Sequence, residues 1–256
     1  MIRIGLVGLG YLGRIHLKVL QDLPAHFQIT GVFDHNRDRS NELRSEAPQF
    51  AIFTSYQELL QNADAIAIIA STPAHYVLAA EAISAGKAVF IEKPVCFSVE
   101  ESKKLLTYSQ EAGVLVQVGH VEQFNPAFTH ALPYIEFPVF IETHRLAPFQ
   151  SRGSDVSVVL DLMIHDIDIA LKVARSNVKR ISATGMEVLS RTIDIASVRL
   201  EFENGCVANL TASRIAQHKV RKSRFFMKDS NVVVDFLSKQ AHRSKVNHSL
   251  TDDSRS

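Results

Sequence analysis

Three glycines in the pattern G-x-G-x-x-G, Gly8, Gly10 and Gly13, follow directly on the apolar run IRIGLV at residues 2–7. A run of this kind reads as a strand, and the glycines have separate tasks in the turn after it. The first permits a tight turn, the second lets backbone approach a ligand closely, and the third lets the next helix pack against the strand. That helix begins at Tyr11 and Leu12, where amide donors and the positive end of the helix dipole face outward. Such a terminus attracts anions and fits a pyrophosphate. Glycine spacing alone is a weak signal, since turns collect glycine for structural reasons, but the residues that follow strengthen it. The runs ITGVFD, AIAIIA, AVFIE and VLVQVG alternate with helical stretches, the rhythm of a parallel sheet covered by helices on both faces. Asp34 ends the second run about twenty residues after the last glycine, where a carboxylate accepts hydrogen bonds from an adenosine ribose. It also repels a 2′-phosphate. The expected cofactor is therefore NAD, with NADP disfavoured, although Arg37 and Arg39 stand close enough to soften the choice.

After Gly119 the rhythm changes. Helices are expected near residues 125–132 and 157–174, with a strand near 139–145. The runs IASVRLEFE and CVANLTASRI flank Asn204-Gly205, a pair typical of type I′ hairpin turns. KSRFFM and NVVVDF extend the same sheet. The fold class is thus α/β plus α+β: an N-terminal Rossmann domain over residues 1–120 and an open, mainly antiparallel sheet domain over 121–237. Residues 238–256 carry few apolar side chains and are expected to form a disordered or truncated tail.

With 28 Lys and Arg against 27 Asp and Glu, the chain has no net field to draw nucleic acid or an anionic membrane. No apolar run is long enough to span a bilayer. A small molecule is the expected partner. Cys96 and Cys206 stand alone, without metal-ligand spacing, which fits a reducing compartment and a cytoplasmic location.

Glu92-Lys93-Pro94, read with GLGYLGRIH, AGKAVFIEKPV and LDLMIHDID, resembles the Gfo/Idh/MocA family of sugar-type oxidoreductases over nearly the whole sequence. The segments GHVEQFNP and RLAPFQSR are similar to the branch that includes UDP-N-acetylglucosamine 3-dehydrogenases. The resemblance implies a nicotinamide lying beside Glu92 and Lys93, and hydride transfer to or from a hydroxyl-bearing carbon of a sugar or nucleotide-sugar. It assigns Lys93, Asp161 and His165 as catalytic. It gives Ser71, Thr72, Pro73 and His75 as cofactor contacts, although STPAHY has shorter spacing than the family pattern. Asn125 and Arg152 become substrate contacts alongside Lys93 and His165, and a homo-oligomer, dimer or tetramer, is implied. The chain also stops sooner after its third long strand than family members do.

On a helix, Asp161 and His165 share one face about a turn apart. Imidazole titrates near neutral pH, so His165 suits proton removal during oxidation, with the carboxylate orienting the ring. The Lys93 ammonium suits a developing alkoxide. His165, Asp166 and Asp168 lack a recognisable metal-ligand arrangement, so no metal is expected. His16 reads as a packed or hydrogen-bonded core histidine. The alternative to an enzyme is a dinucleotide-binding regulatory protein with little or no turnover.

Overall fold

In the computed structural model, which describes residues 1–150 and 156–245, the opening apolar run forms β1 (Ile2–Val7), buried from Ile4 onward. It joins a parallel sheet with β2 (Phe27–Phe33), β3 (Ala65–Ile68), β4 (Ala88–Ile91) and β5 (Val116–Val118), in the spatial order β2-β1-β3-β4-β5. Burial on both faces explains why these strands are nearly continuous apolar runs. The chain order reverses direction between β1 and β3, the place where such sheets hold ligands at the carboxyl ends of their strands.

The crossovers are α1 (Tyr11–Gln21), α2 (Arg37–Glu46), α3 (Tyr56–Asn62), α4 (Thr72–Ser84) and α5 (Val99–Ala112). Side chains cap the starts of α2, α3 and α5. Asn36 accepts the amides of Asp38 and Arg39, Ser55 that of Glu58, and Ser98 that of Glu101. Leu17 of α1 and Leu43 of α2 pack with Ile4 and Leu6 in one apolar cluster. Leu59, Ala79 and Leu105, from α3, α4 and α5, pack with Ile66, Ile68 and Ile91 in another. Each fully buried Ile or Leu stabilises the fold by about 1.5–3 kcal/mol. The chain divides into two compact units, Met1–Gly119 and the residues from His120 on.

The second unit is built on a seven-stranded sheet of β6 (Phe140–Leu146), β7 (Val178–Met186), β8 (Ile195–Phe202), β9 (Val207–Ser213), β10 (Val220–Phe226), β11 (Ser230–Asp235) and β12 (Gln240–Lys245). The order is β12-β11-β10-β6-β9-β8-β7. Only β6 and β9 pair in parallel, so the sheet is mixed and mostly antiparallel. Alternate residues of β6 and β9 are buried, against α6 (Pro126–Ala131), α7 (Ile164–Ala174) and the turns before them.

Several elements differ from the sequence reading. Asn204-Gly205 does not make a type I′ turn: Gly205 has φ +85° and Asn204 is not among the residues with positive φ. The Gly205 amide donates to Phe202 O at 3.0 Å, and Asn204 Oδ1 accepts from Cys206 N at 3.0 Å. The helix expected at 157–174 opens with a π-helical turn, Val159–Met163, before α7. Strand β7 and helix α3 were not anticipated. The expected disordered tail is corrected in part: Gln240–Lys245 form β12, paired with β11 from Ser230 to Asp235. Main-chain bonds to β11 hold this edge strand although, apart from half-buried Ala241, its side chains are polar and exposed. Residues 246–256 lie outside the described residues.

Candidate active site

The turn after β1 depends on its glycines. Gly8 has φ +99°, and a Cβ there would meet Ile69 O at 2.5 Å. At Gly13 an added Cβ would sit 1.8 Å from Gly8 O, so helix and turn touch directly. Gly10 differs, since the nearest atom to a Cβ added there would be Arg39 Nη1 at 3.9 Å. The space above Gly10 is therefore open and not filled by packing. No side chain caps α1 and no acidic residue stands in its first turn, so the helix start suits an anion.

Asp34 follows β2 and is buried. Its Oδ2 accepts the Leu9 amide at 2.6 Å and its Oδ1 the Asn36 amide at 2.8 Å. Arg39 Nη1 stands 3.6 Å from Oδ2. A carboxylate accepts about four hydrogen bonds, so capacity remains for ribose hydroxyls. This residue ties the glycine turn to the end of β2. Glycine turn, helix start and Asp34 together fit a dinucleotide.

Ser71, Thr72 and Pro73 make the start of α4 after β3, with Ser71 at its N-cap and proline in the first turn. Ser71 and Pro73 are exposed and Thr72 is half-buried. Glu92, Lys93 and Pro94 follow β4, where Glu92 N bonds to Ile68 O at 3.0 Å. The Lys93–Pro94 peptide is cis. Lys93 is half-buried, Glu92 buried. The glycine turn, Asp34, the Ser71–Pro73 loop and Glu92-Lys93-Pro94 thus follow the carboxyl ends of β1, β2, β3 and β4.

Two of those residues, His75 and Glu92, also have partners within the fold. His75 is 1% exposed, and its ring nitrogens face Pro94 O at 2.9 Å and Ala70 O at 3.0 Å. It packs between the loops after β3 and β4. Glu92 spends its carboxylate on His16 Nε2 at 2.8 Å and on the Lys93 amide at 3.1 Å.

In the second unit, Asp161 lies in the π-helical turn and His165 in the first turn of α7. Both are half-buried, while Met163, Asp166, Ile169 and Ala170 point into the core. Asp166 and Asp168 each have partners of their own. Arg145 holds Asp166 with two bonds of 3.0 Å and Glu122 with one of 2.9 Å. Asp168 accepts from Gln123 Nε2 at 2.7 Å. Burial works against the Arg145 charge, but Asp166 and Glu122 offset it and hold its pKa above the ordinary arginine value. Burial lifts the Asp166 carboxyl and Arg145 acts against that lift. Sequence reasoning missed this network because Glu122, Arg145 and Asp166 are far apart in the chain; Arg145, at a buried position of an alternating strand, was the available signal.

Asn125, expected from sequence as a substrate contact, caps α6 in this structure. Its Oδ1 accepts the Ala127 amide at 3.2 Å, and its Nδ2 donates to Phe236 O at 3.0 Å and Glu122 Oε2 at 3.2 Å. Arg152 lies outside the described residues. Among the described residues, no group of three or more His, Cys, Asp or Glu is placed to hold a metal ion, and no helix is long and apolar enough to cross a membrane.

Comparison with known proteins agrees with this geometry. Residues 2–120 match the family described as "Oxidoreductase family, NAD-binding Rossmann fold", and residues 117–229 match the GFO/IDH/MocA C-terminal domain. The chain is 36% identical over 242 residues to UDP-N-acetylglucosamine 3-dehydrogenase of Acidithiobacillus ferrooxidans, covering 94% of this chain and 76% of that protein. It is 27% identical over 235 residues to scyllo-inositol 2-dehydrogenase (NAD(+)) of Bacillus subtilis, covering 85% and 68%. A solved structure of the Acidithiobacillus ferrooxidans enzyme superposes with a TM-score of 0.89 at 35% identity, covering 95% of this chain and 80% of that one. The chain therefore belongs to the Gfo/Idh/MocA family of NAD-binding oxidoreductases.

Proposed function

We propose that this oxidoreductase acts on a nucleotide-sugar of the UDP-N-acetylhexosamine type, with Lys93, Asp161 and His165 as its catalytic residues. The reading rests chiefly on one observation: Lys93 follows β4 at the same carboxyl end of the sheet as the glycine turn after β1. A dinucleotide whose pyrophosphate sits on that turn has its nicotinamide within reach of the lysine. NAD, when bound, supplies the hydride acceptor. The backbone at Gly10, Tyr11, Leu12 and Gly13 holds the pyrophosphate, Asp34 the adenosine ribose, and Ser71, Thr72 and Pro73 line the way to the nicotinamide. His165 takes the hydroxyl proton as hydride leaves the same carbon, and returns it in reduction; Asp161 orients its ring. The Lys93 ammonium stabilises the oxygen as charge develops.

The substrate class follows from the 36% identity to UDP-N-acetylglucosamine 3-dehydrogenase. Arg152 is kept as a phosphate or hydroxyl contact on the strength of the sequence segment alone. A homo-oligomer is proposed from family likeness, and a cytoplasmic location from two buried, unpaired cysteines. The test is NADH production from NAD with UDP-N-acetylglucosamine, free N-acetylglucosamine and scyllo-inositol compared at equal concentration. UDP-N-acetylglucosamine should give the highest kcat/KM. Preference for scyllo-inositol, or equal rates with and without the nucleotide, would overturn the substrate class.

A further inference from the structure

Lys93 is flanked by two residues that are each held by a histidine from elsewhere. On one side, His16 Nε2 lies 2.8 Å from Glu92 Oε1, and Glu92 Oε2 accepts the Lys93 amide at 3.1 Å. The Glu92 carboxylate has little freedom: its side chain is 7% exposed, and a Cβ on Gly119 would come within 3.1 Å of both its oxygens. The His16 ring also lies against Phe90 of β4, with centroids 5.4 Å apart. On the other side, His75 Nδ1 lies 2.9 Å from Pro94 O while its Nε2 lies 3.0 Å from Ala70 O. The buried ring is thus lodged between the Pro94 and Ala70 carbonyls, with at least one ring N–H donating.

The origin of the two histidines gives the arrangement its meaning. His16 stands on α1, the helix whose start holds the pyrophosphate in the reading above. His75 stands on α4, whose start is the Ser71–Pro73 loop. We propose that His16 and His75 are positioning residues that clamp the two neighbours of Lys93 and register the lysine to both dinucleotide loops. The inference rests on Lys93 being catalytic, as proposed above. Neither histidine touches the reacting atoms. Loss of the clamp therefore moves the lysine without removing the cofactor, so the effect falls on kcat and not on dinucleotide affinity.

The experiment compares the parent with His16→Leu, His16→Gln, His75→Leu and Lys93→Ala. Three quantities are read: the NADH dissociation constant by fluorescence, kcat with UDP-N-acetylglucosamine, and amide hydrogen exchange over residues 92–95. For His16→Leu, NADH affinity should stay within about threefold, kcat should fall about tenfold or more, and exchange at 92–95 should quicken about tenfold. His16→Gln keeps a donor for Glu92 and should recover most of both losses. Parental kcat and exchange in His16→Leu would overturn the clamp, as would no recovery in His16→Gln. If His75→Leu loses NADH binding and fold together, the His16 pair decides the matter alone. Lys93→Ala separates the two levels. Full turnover in that variant sinks the catalytic assignment, whereas an inactive Lys93→Ala beside an unaffected His16→Leu sinks only the clamp. Exchange at 92–95 reads the clamp even where the substrate is not the right one.

Discussion

Gly10 and Gly13 belong to one motif but answer to different constraints. A methyl group at Gly13 would overlap Gly8 O at 1.8 Å, a backbone atom that cannot move without the turn, whereas Gly10 has nothing closer than Arg39 Nη1 at 3.9 Å. Gly13→Ala should therefore lower the melting temperature markedly and lose NADH binding with it. Gly10→Ala should melt within a few degrees of the parent and still lose NADH affinity about tenfold or more, because its Cβ enters the pyrophosphate space. Thermal melts and NADH titrations on the two variants check this; equal destabilisation of both would contradict it. At this scale much was legible. Glycine spacing, Asp34 and Glu92-Lys93-Pro94 are local patterns whose chemistry depends on near neighbours. What could not be read was how polar side chains are used up. His75 and Asn125 carry ligand-type chemistry, yet their hydrogen bonds go to Pro94 O, Ala70 O and Phe236 O, partners that only the folded chain brings near.

Among the elements, α7 carries His165 on its half-buried side and Asp166 on its buried side, so the Arg145–Asp166 pair anchors the helix to β6. Removing one partner leaves an uncompensated buried charge. Asp166→Ala and Arg145→Met should each destabilise by about 3–5 kcal/mol, and the double variant by clearly less than their sum. Denaturant unfolding of the three variants tests the cycle; strict additivity would show that the pair does not couple. The strands that escaped sequence reading share a physical cause. Strands β7 and β12 are the two edges of the second sheet and expose most of their side chains. An edge strand that buries little carries no alternation of apolar and polar residues, and alternation is what identifies a strand. The π-helical turn at Val159–Met163 was equally hidden, because a local change of hydrogen-bond step leaves the apolar pattern almost intact.

For the whole molecule, one carboxylate in the second unit should contribute to acid sensitivity. Asp194 is buried against solvent. Burial disfavours its charge, but the amides of Val188, Leu189 and Ser190 and the Ser190 hydroxyl outweigh that and hold its pKa well below the ordinary aspartate range. A depressed native pKa means that the unfolded chain binds the proton more readily, so this contribution is present above pH of about 4 and is lost as pH falls below it. Stability measured from neutral pH down to about 3 should fall less steeply in Asp194→Asn than in the parent, though from a lower starting value; parallel curves would contradict the assignment. Two sheets, their order of appearance and the change of rhythm after Gly119 were legible because they are carried by long periodic segments. The ion pairs within the second unit were not, since nothing in a linear pattern says which charges are buried together.

The proposed catalytic assignment of Lys93 and His165 is tested most directly by measuring NADH affinity and turnover of UDP-N-acetylglucosamine on Lys93→Ala and His165→Ala together. Both variants should bind NADH as the parent does and lose about 10²- to 10⁴-fold in kcat. Turnover at the parental rate in either variant, or a parent that binds no dinucleotide, would contradict it.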